Sequence, residues 1–349
     1  MMSIKDFQNR YDPNKVGVTT NNVFGLPFTL AEAALVFIPV PWDVTTSNFA
    51  GTSKGPENIL KNSYQIDLFA PAATDAWKHG MAFEEIDPQL VEKNRNLRRE
   101  AEAYIRFLEE GGDVDKDNNM TLKLNQINKG CESLAKETKE KALSYLNQKK
   151  IPFLVGGDHS ISSGLIGALA EDNEFGVLQI DAHADLRSNY MGFTHSHASV
   201  MHRALKTKSV QKIIQVGIRE ICPEEQDVIN QHPNKIHTYF DHMLHRDLYR
   251  GVNWETICNQ IAEKLPEKVY ITFDVDGLQP SCCPGTGTPV PGGLSYNQAV
   301  FLIEKVMQSN KHIIGADLVE TGPSTLDGIV SSRLLFQIAS MMIQSNKNR

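Results

Sequence analysis

The sequence predicts an α/β fold: a mainly parallel sheet with helices on both faces. Three observations predict it. From Lys150 onward, apolar strand-like runs at 151–155, 176–181, 212–217, 235–239, 268–274 and 312–317 alternate with helical or looping stretches. The stretch at about 295–309 carries a one-sided apolar stripe of Ala299, Leu302, Ile303, Val306 and Met307, at helical spacing. Acidic and imidazole side chains gather just past the ends of three of the runs, where open parallel sheets bind their ligands.

The elements follow in order. Residues 1–30 are polar, with turn signals at Asp12-Pro13-Asn14 and Gly25-Leu26-Pro27, and read as an N-terminal arm that wraps on the domain or on a neighbour. Val36 to Val40 is the first strand; Pro39, with no N–H to offer, marks its end or an edge position. Gly51 to Gly55 is a loop, and Pro56 suits the first turn of a helix running to about Ser63. Residues 66–88 are mixed, broken by Pro71 and Pro88, and from about Gln89 to Glu110 the pattern is helical and highly charged. A polar loop, Gly111 to Asn119, comes next. Its Asp113, Asp115 and Asp117 invite a calcium-loop reading, but Asn118 and Leu124 stand where such a loop needs Gly and a carboxylate. Cys131 to Gln148 reads as a helix burying Leu134, Ala135, Ala142, Leu143 and Leu146, and the final helix buries Leu334, Leu335, Ile338, Met341 and Met342. With no repeat, low-complexity linker or domain boundary in view, residues 1–349 read as one domain, with 1–30 as its arm and 89–148 as a helical insert.

Composition narrows the function. A hydrophobic content of 41% supplies a sizeable core, and a net charge of −7 argues against nucleic acid or an anionic membrane as main partner while suiting a cationic substrate. The five cysteines (Cys131, Cys222, Cys258, Cys282, Cys283) are odd in number and form no C-x-x-C, which reads as free thiols in a reducing compartment. Met1 to Arg10 has no apolar signal core, and no apolar run approaches the length needed to span a bilayer. The expectation is a cytoplasmic protein.

The chemistry centres on Asp181-Ala182-His183-Ala184-Asp185, which follows the apolar run Gly176 to Ile180. In an extended backbone, residues i, i+2 and i+4 face one way, so three ligand-type side chains share one small volume. Gly156-Gly157-Asp158-His159-Ser160 and Asp274-Val275-Asp276 follow strand-like runs in the same manner. Pooled, the candidates are His159, Asp181, His183, Asp185, Asp274 and Asp276, with Asp158 a seventh. Four carboxylates balance two divalent cations. An oxygen-rich set with two imidazoles favours manganese, with nickel, iron and cobalt as alternatives, whereas a structural zinc site would want cysteines. Two such ions sharing a water make hydroxide available near neutral pH, a nucleophile for hydrolysis.

These segments, with Ser196-His197-Ala198-Ser199, Thr286-Gly287-Thr288-Pro289, Gly292-Gly293, Glu320 and Pro323, stand in ureohydrolase order. The chain resembles the family of arginases and agmatinases over roughly residues 150–325, with a weaker echo at 36–63. The resemblance implies a three-layer α/β/α, arginase-like fold, two Mn2+ ions with Ni2+ as alternative, and hydrolysis of a guanidinium group to an amine and urea. It implies that His159, Asp181, Asp185 and Asp274 hold one ion and Asp181, His183, Asp274 and Asp276 the other, with Asp181 and Asp274 bridging. It also implies that His197 is the catalytic histidine, that Glu320 pairs with the substrate guanidinium, and that the chain forms a homo-oligomer, trimer or hexamer. The family's usual Asp before Pro280 is Gln279 here. His195 stands near His197, and Cys282-Cys283 read as buried thiols or pocket lining.

The loop Leu186 to Thr194 looks like the agmatinase branch, and Glu220 is a candidate for meeting a distal amine. Agmatine is therefore the first expected substrate and guanidine the second, then guanidinobutyrate, arginine and formiminoglutamate. Rival classes are a single-zinc deacetylase-type enzyme and a metal-binding regulatory protein without turnover. A two-metal phosphoesterase lacks an evident basic clamp for phosphate.

Overall fold

The structure, a computed structural model, describes residues 11–15 and 17–347. Eight strands form one all-parallel sheet: β1 (Leu35–Val40), β2 (Met81–Phe83), β3 (Ile151–Gly156), β4 (Phe175–Ile180), β5 (Val210–Ile218), β6 (Ile236–Phe240), β7 (Lys268–Asp274) and β8 (His312–Val319). Their order across the sheet is β2-β1-β3-β8-β7-β4-β5-β6.

Both faces are covered, which is why the central strands read as continuous apolar runs. One face packs α1 (Gly55–Ser63), α8 (Trp254–Lys264), α9 (Tyr296–Gln308) and α10 (Thr325–Ser345) against Phe37, Phe153, Ile180, Ile271 and Leu318. The other packs α2 (Pro88–Glu109), α3 (Asn118–Leu146), α4 (Ser162–Leu169) and α5 (Val200–Lys206) against Val36, Leu154, Val177, Ile213 and Tyr270. Two further helices, α6 (Pro223–Gln231) and α7 (Asp241–Tyr249), flank β6. The architecture is the expected three-layer α/β/α sandwich.

Four local expectations change. The segment read as an N-terminal arm supplies core: Val23, Phe24 and Leu26 are fully buried, and Phe24 meets Phe37 and Phe336 edge-on at 5.9 and 5.1 Å. Residues 1–10 lie outside the described residues. Strand β2 falls in the stretch read as mixed; three residues are too few to show a period. Helix α3 starts at Asn118 rather than near Cys131, because Asp117 caps it by accepting from the Asn119 and Met120 amides. Gly130 does not break it but lets Leu97 of α2 close in, since a Cβ there would lie 2.4 Å from the leucine Cδ1. Finally, α10 is long and apolar enough to cross a bilayer by length and composition, contrary to expectation; most of it is buried inside the protein. Pro39 lies past the last β2 partner, where β1 has a neighbour only in β3.

The carboxyl ends of the four adjacent central strands, β3, β8, β7 and β4, open on one edge of the sheet. The residues that follow those ends are His159, Glu320, Asp276 and Asp181.

Candidate metal centre and active site

Each ligand-type side chain is aimed by its strand end. After β3, Asp158 accepts the Ser160 amide at 3.0 Å and starts the short turn His159–Ile161 that buries His159. Asp158, the seventh candidate, is thereby used as a cap; its other oxygen faces the Thr45 hydroxyl at 3.4 Å. After β7, Asp274 accepts the Asp276 amide at 2.9 Å and curls the turn Val275–Gly277. A Cβ on Gly277 would sit 2.6 Å from the Asp181 nitrogen, so the glycine lets this turn lie on the ligand loop. After β4, the loop 181–185 does not stay extended: Asp185 adopts φ of +54°. Its carboxylate reaches the cluster through a left-handed residue rather than by simple alternation. Glu320 after β8 is turned inward in the same way, at φ of +60°.

All six candidates converge. His159 Nδ1 lies 2.9 Å from Asp185 Oδ2, 3.1 Å from Asp181 Oδ2 and 3.5 Å from Asp274 Oδ2. His183 Nδ1 lies 3.0 Å from Asp276 Oδ2 and 3.7 Å from Asp181 Oδ1. Two donor groups result, His159–Asp181–Asp185 and Asp181–His183–Asp276, sharing Asp181 through its two oxygens. Asp274 sides with the first group through Oδ2.

The donor set fits cations. The Thr272 hydroxyl, with one hydrogen, donates to Asp317 Oδ1 at 2.8 Å, so toward His159 Nε2, 2.7 Å away, it accepts. That hydrogen-bond network puts the imidazole proton on Nε2 and leaves a lone pair on Nδ1 facing three buried carboxylate oxygens. Only a proton or a metal ion satisfies four electron-pair donors so arranged. Second partners of this kind are how metal-binding histidines are commonly held.

Electrostatics say the same. Burial opposes charge on His159, but Asp181 and Asp185 hold it well above the usual imidazole range. Burial, then the Asp181 charge, pushes Asp185 up to about 7. Burial, then Asp276 and Asp181, pushes Asp274 well above the carboxylate range. Burial works the same way on Asp181, yet His159 and His183 hold it far below that range. Protons thus stand where cations are wanted.

A cavity of about 250 Å³ exposes this cluster, and His197 and Glu320 line it. Glu320 is 5% exposed and its Oε1 accepts the His159 amide at 3.0 Å. Burial and the Asp158 charge push its carboxyl well above the usual range, so it sits where a cation is needed. His197 begins a turn capped by Ser196, its amide donates to Thr45 Oγ1 at 3.3 Å, and Tyr190 stands edge-on at 6.1 Å. Burial, then the neighbouring imidazoles, pushes it down to about 3, so it is neutral near pH 7. His195 instead lines a separate hollow with His202 and Arg203.

Ser47 and Cys222 line the cavity and escaped the sequence reading. Arg187 and Tyr190, from the loop 186–194 read as marking the substrate branch, and Thr288, from the motif at 286–289, line it too, the Thr288 hydroxyl donating to Asp276 Oδ2 at 3.3 Å. Arg187 stacks on Tyr190, 4.9 Å from the ring centre. Glu220 stands exposed at the mouth. Cys282 and Cys283 are not in the cavity wall; Cys222 is, and all five thiols are free. Gln279 is exposed, its amide bonded to Leu294 O at 2.9 Å. The loop after β1 was legible at Gly51 to Gly55 and in the weaker echo at 36–63, but not in what holds it. It is held by α2: Asn94 bonds the Asp43 amide and carboxylate at 2.8 and 2.9 Å, and Arg98 Nη1 reaches Asp43 O, Val44 O and Thr46 Oγ1.

Comparison with known proteins agrees. The sequence model described as "Arginase family" matches residues 33–344. The N(1)-aminopropylagmatine ureohydrolase of Synechocystis sp. is 28% identical over 324 residues, 91% of this chain and 92% of its own. One from Thermus thermophilus is 32% identical over 294 residues, 84% of each chain. Among solved structures, the agmatine ureohydrolase of Thermoplasma volcanium superposes with a TM-score of 0.68 at 22% identity, covering 99% of both chains. The arginase of Bacillus subtilis superposes with a TM-score of 0.60 at 23% identity, covering 88% of this chain and 98% of that one. The likeness in fold, the matched family and the clustered donors converge: this chain belongs to the arginase family, dinuclear metal-dependent hydrolases of guanidino carbon–nitrogen bonds.

Proposed function

We propose that this chain releases urea from a linear guanidine that ends in a second amine, agmatine or N(1)-aminopropylagmatine. One observation carries the reading: a buried carboxylate, Glu320, and the His/Asp cluster face the same cavity, with an exposed carboxylate, Glu220, at its mouth. An ammonium-terminated guanidine is cationic at both ends and meets a carboxylate at both. Relatives named N(1)-aminopropylagmatine ureohydrolase and agmatinase support the same substrate class.

His159, Asp181, Asp185 and Asp274 are assigned to one ion, and Asp181, His183, Asp274 and Asp276 to the other. Manganese suits this oxygen-rich set, with nickel the alternative. Bound there, divalent ions would make a hydroxide nucleophile available at neutral pH. Glu320 accepts two N–H bonds from the guanidinium and holds its carbon toward the cluster. Water oxygen is added to that carbon, the bond to the alkyl-bearing nitrogen breaks, and the amine departs with a proton gained. His197, neutral at rest, takes up a proton and hands it on to the departing nitrogen. Cytoplasmic residence, in keeping with five free thiols, and a trimer or hexamer complete the proposal.

A second reading has its own observation. Arg187, fixed over Tyr190 on the cavity wall, repels a distal ammonium and favours free guanidine. Urea release decides, measured with manganese- and nickel-loaded protein on agmatine, N(1)-aminopropylagmatine, guanidine, guanidinobutyrate, arginine and formiminoglutamate. A kcat/KM highest on the two amine-ended substrates supports the first reading, and guanidine alone supports the second. Silence on all six, with two metals bound per chain, overturns both.

A further inference from the structure

Five polar side chains stand in one row across the sheet, one pleat below the ligands. Thr238, Gln215, Gln179, Thr272 and Asp317 are successive register partners on β6, β5, β4, β7 and β8. Asp181 and Asp274 follow Gln179 and Thr272 by two residues and so share their face. Gln179, Gln215, Thr272 and Asp317 are fully buried. Strands buried on both faces are ordinarily filled with Val, Ile and Leu. A buried amide that loses its partner keeps its desolvation cost with nothing to offset it. A row kept polar at that depth therefore needs a reason. The Thr272–Asp317 half has one, since it orients His159.

The other half is a directed chain of donors. Thr238 Oγ1 donates to Gln215 Oε1 at 2.7 Å. Gln215 Nε2 donates to Gln179 Oε1 at 2.7 Å and to Ala184 O at 2.8 Å. Gln179 Nε2 donates to Asp181 Oδ2 at 2.8 Å and to His183 O at 3.1 Å. Flipping Gln179 would set its oxygen against Asp181 Oδ2 and His183 O and its nitrogen against Gln215 Nε2, and flipping Gln215 would set its oxygen against Gln179 Oε1 and Ala184 O. The direction is thus locked from Thr238 to Asp181. The two amides grip two successive carbonyls of the loop that bears three ligands. That loop contains the left-handed Asp185, a conformation that persists only where surroundings impose it.

We propose that Gln179 and Gln215 are positioning residues that staple the 181–185 loop to the sheet and aim the Asp181 carboxylate, and so set the affinity for metal. This rests on the reading of 181–185 as a metal-holding loop. Gln215 touches no ligand side chain, which makes it the diagnostic position.

The test is Mn2+ titration by calorimetry of chelator-stripped protein, without substrate. The chains compared are wild type, Gln179→Leu, Gln215→Leu, the double variant, Thr238→Val, and Ile214→Val on the opposite face of β5 as a packing control. Each glutamine variant is expected to raise the Mn2+ Kd roughly 10- to 100-fold. The double variant should lose less than the two single losses combined, because the two amides are hydrogen-bonded to each other and support one loop. Thr238→Val should raise Kd less, and Ile214→Val should lower the melting temperature while leaving Kd within threefold. A wild-type Kd for Gln215→Leu overturns the staple, as do losses that merely follow melting temperature across the whole set, Ile214→Val included. Should a single variant fail to fold, the double, which replaces both amides by apolar groups, serves in its place; a wild-type Kd there also overturns the proposal. If the wild type binds no Mn2+, the metal reading of the loop falls and the staple with it; if wild type and variants bind alike, only the staple falls.

Discussion

Replacing Glu320 with Gln isolates the charge that is proposed to hold the guanidinium. The amide keeps an oxygen for the His159 N–H, now 3.0 Å from Glu320 Oε1, so the turn at 159–161 is spared. What goes is the negative charge that bound cations call out of a group 5% exposed. Two unit charges 4 Å apart at an effective dielectric constant of about 20 attract by about 4 kcal/mol. Part of that is spent in burying the carboxylate beside Asp158 and Asp276, and hydrogen bonds to charged groups are worth about 1.5–3 kcal/mol net. The expected loss in kcat/KM is therefore roughly 10- to 150-fold. The assay is urea release by manganese-loaded protein, with Mn2+ affinity measured in parallel and expected to stay within threefold, because Glu320 is not among the assigned ligands. A kcat/KM within threefold of wild type would refute the guanidinium assignment. Loss of metal along with activity would refute the separation of the two roles.

Four further outcomes are expected. His197→Ala should lower kcat roughly 100- to 10,000-fold while sparing metal affinity; wild-type turnover would remove it from proton transfer. Metal-free protein should lose stability as pH rises. Asp185, at about 7, and His159, also raised, hold protons that the unfolded chain releases at lower pH. The stability they contribute is full below the unfolded pKa and is lost as pH rises through the folded one. Melting temperatures of chelator-treated protein should therefore fall from pH 5 to 8 and those of metal-loaded protein should not; parallel profiles would sink this account. Arg98→Ala removes the donor that holds the carbonyls of Asp43, Val44 and Thr46 and should raise KM with little change in metal affinity, as read by steady-state kinetics. Phe24→Ala empties a fully buried site between Phe37 and Phe336 and should cost about 3–5 kcal/mol, visible in denaturant melts, with kcat unchanged.

What the sequence shows and hides has a physical logic. Strand β7 was legible to the residue because a strand buried on both faces is a nearly continuous apolar run, and charges mark both its ends, Lys268 and Asp274. Strand β2 was not, because three residues carry no period. Val23, Phe24 and Leu26 follow a polar stretch and are interrupted by Gly25 and Pro27, so they carry no strand or helix period, though the fold buries all three. The ligand-type residues were legible because each follows a strand end, and the parallel sheet brings all such ends to one edge. Gln179, Gln215 and Asp317 were not, since a polar residue inside an apolar run looks like a flaw until register sets it beside its partners. Asn94 and Arg98 lie in a helix that reads as solvated; their work on the loop after β1 depends on packing from some 50 residues away.

Strand β8 comes eighth in chain order and fourth in the sheet, between β3 and β7. A growing chain therefore emerges as two half-sheets, β1 to β3 and β4 to β7, each with a bare inner edge. His159 rides on one half, and Asp181, His183, Asp185, Asp274 and Asp276 ride on the other. The second half holds the Asp181–His183–Asp276 group by itself, but the His159–Asp181–Asp185 group needs both halves, and unpaired edges invite other chains. Residues 312–319 are the keystone: they seal both edges, bring the two ligand sets together and deliver Glu320 in the same stroke. Maturation of the centre is thus tied to the synthesis of residues 312–320, and a chain truncated before residue 312 should be a client for chaperones and proteases rather than a weak enzyme.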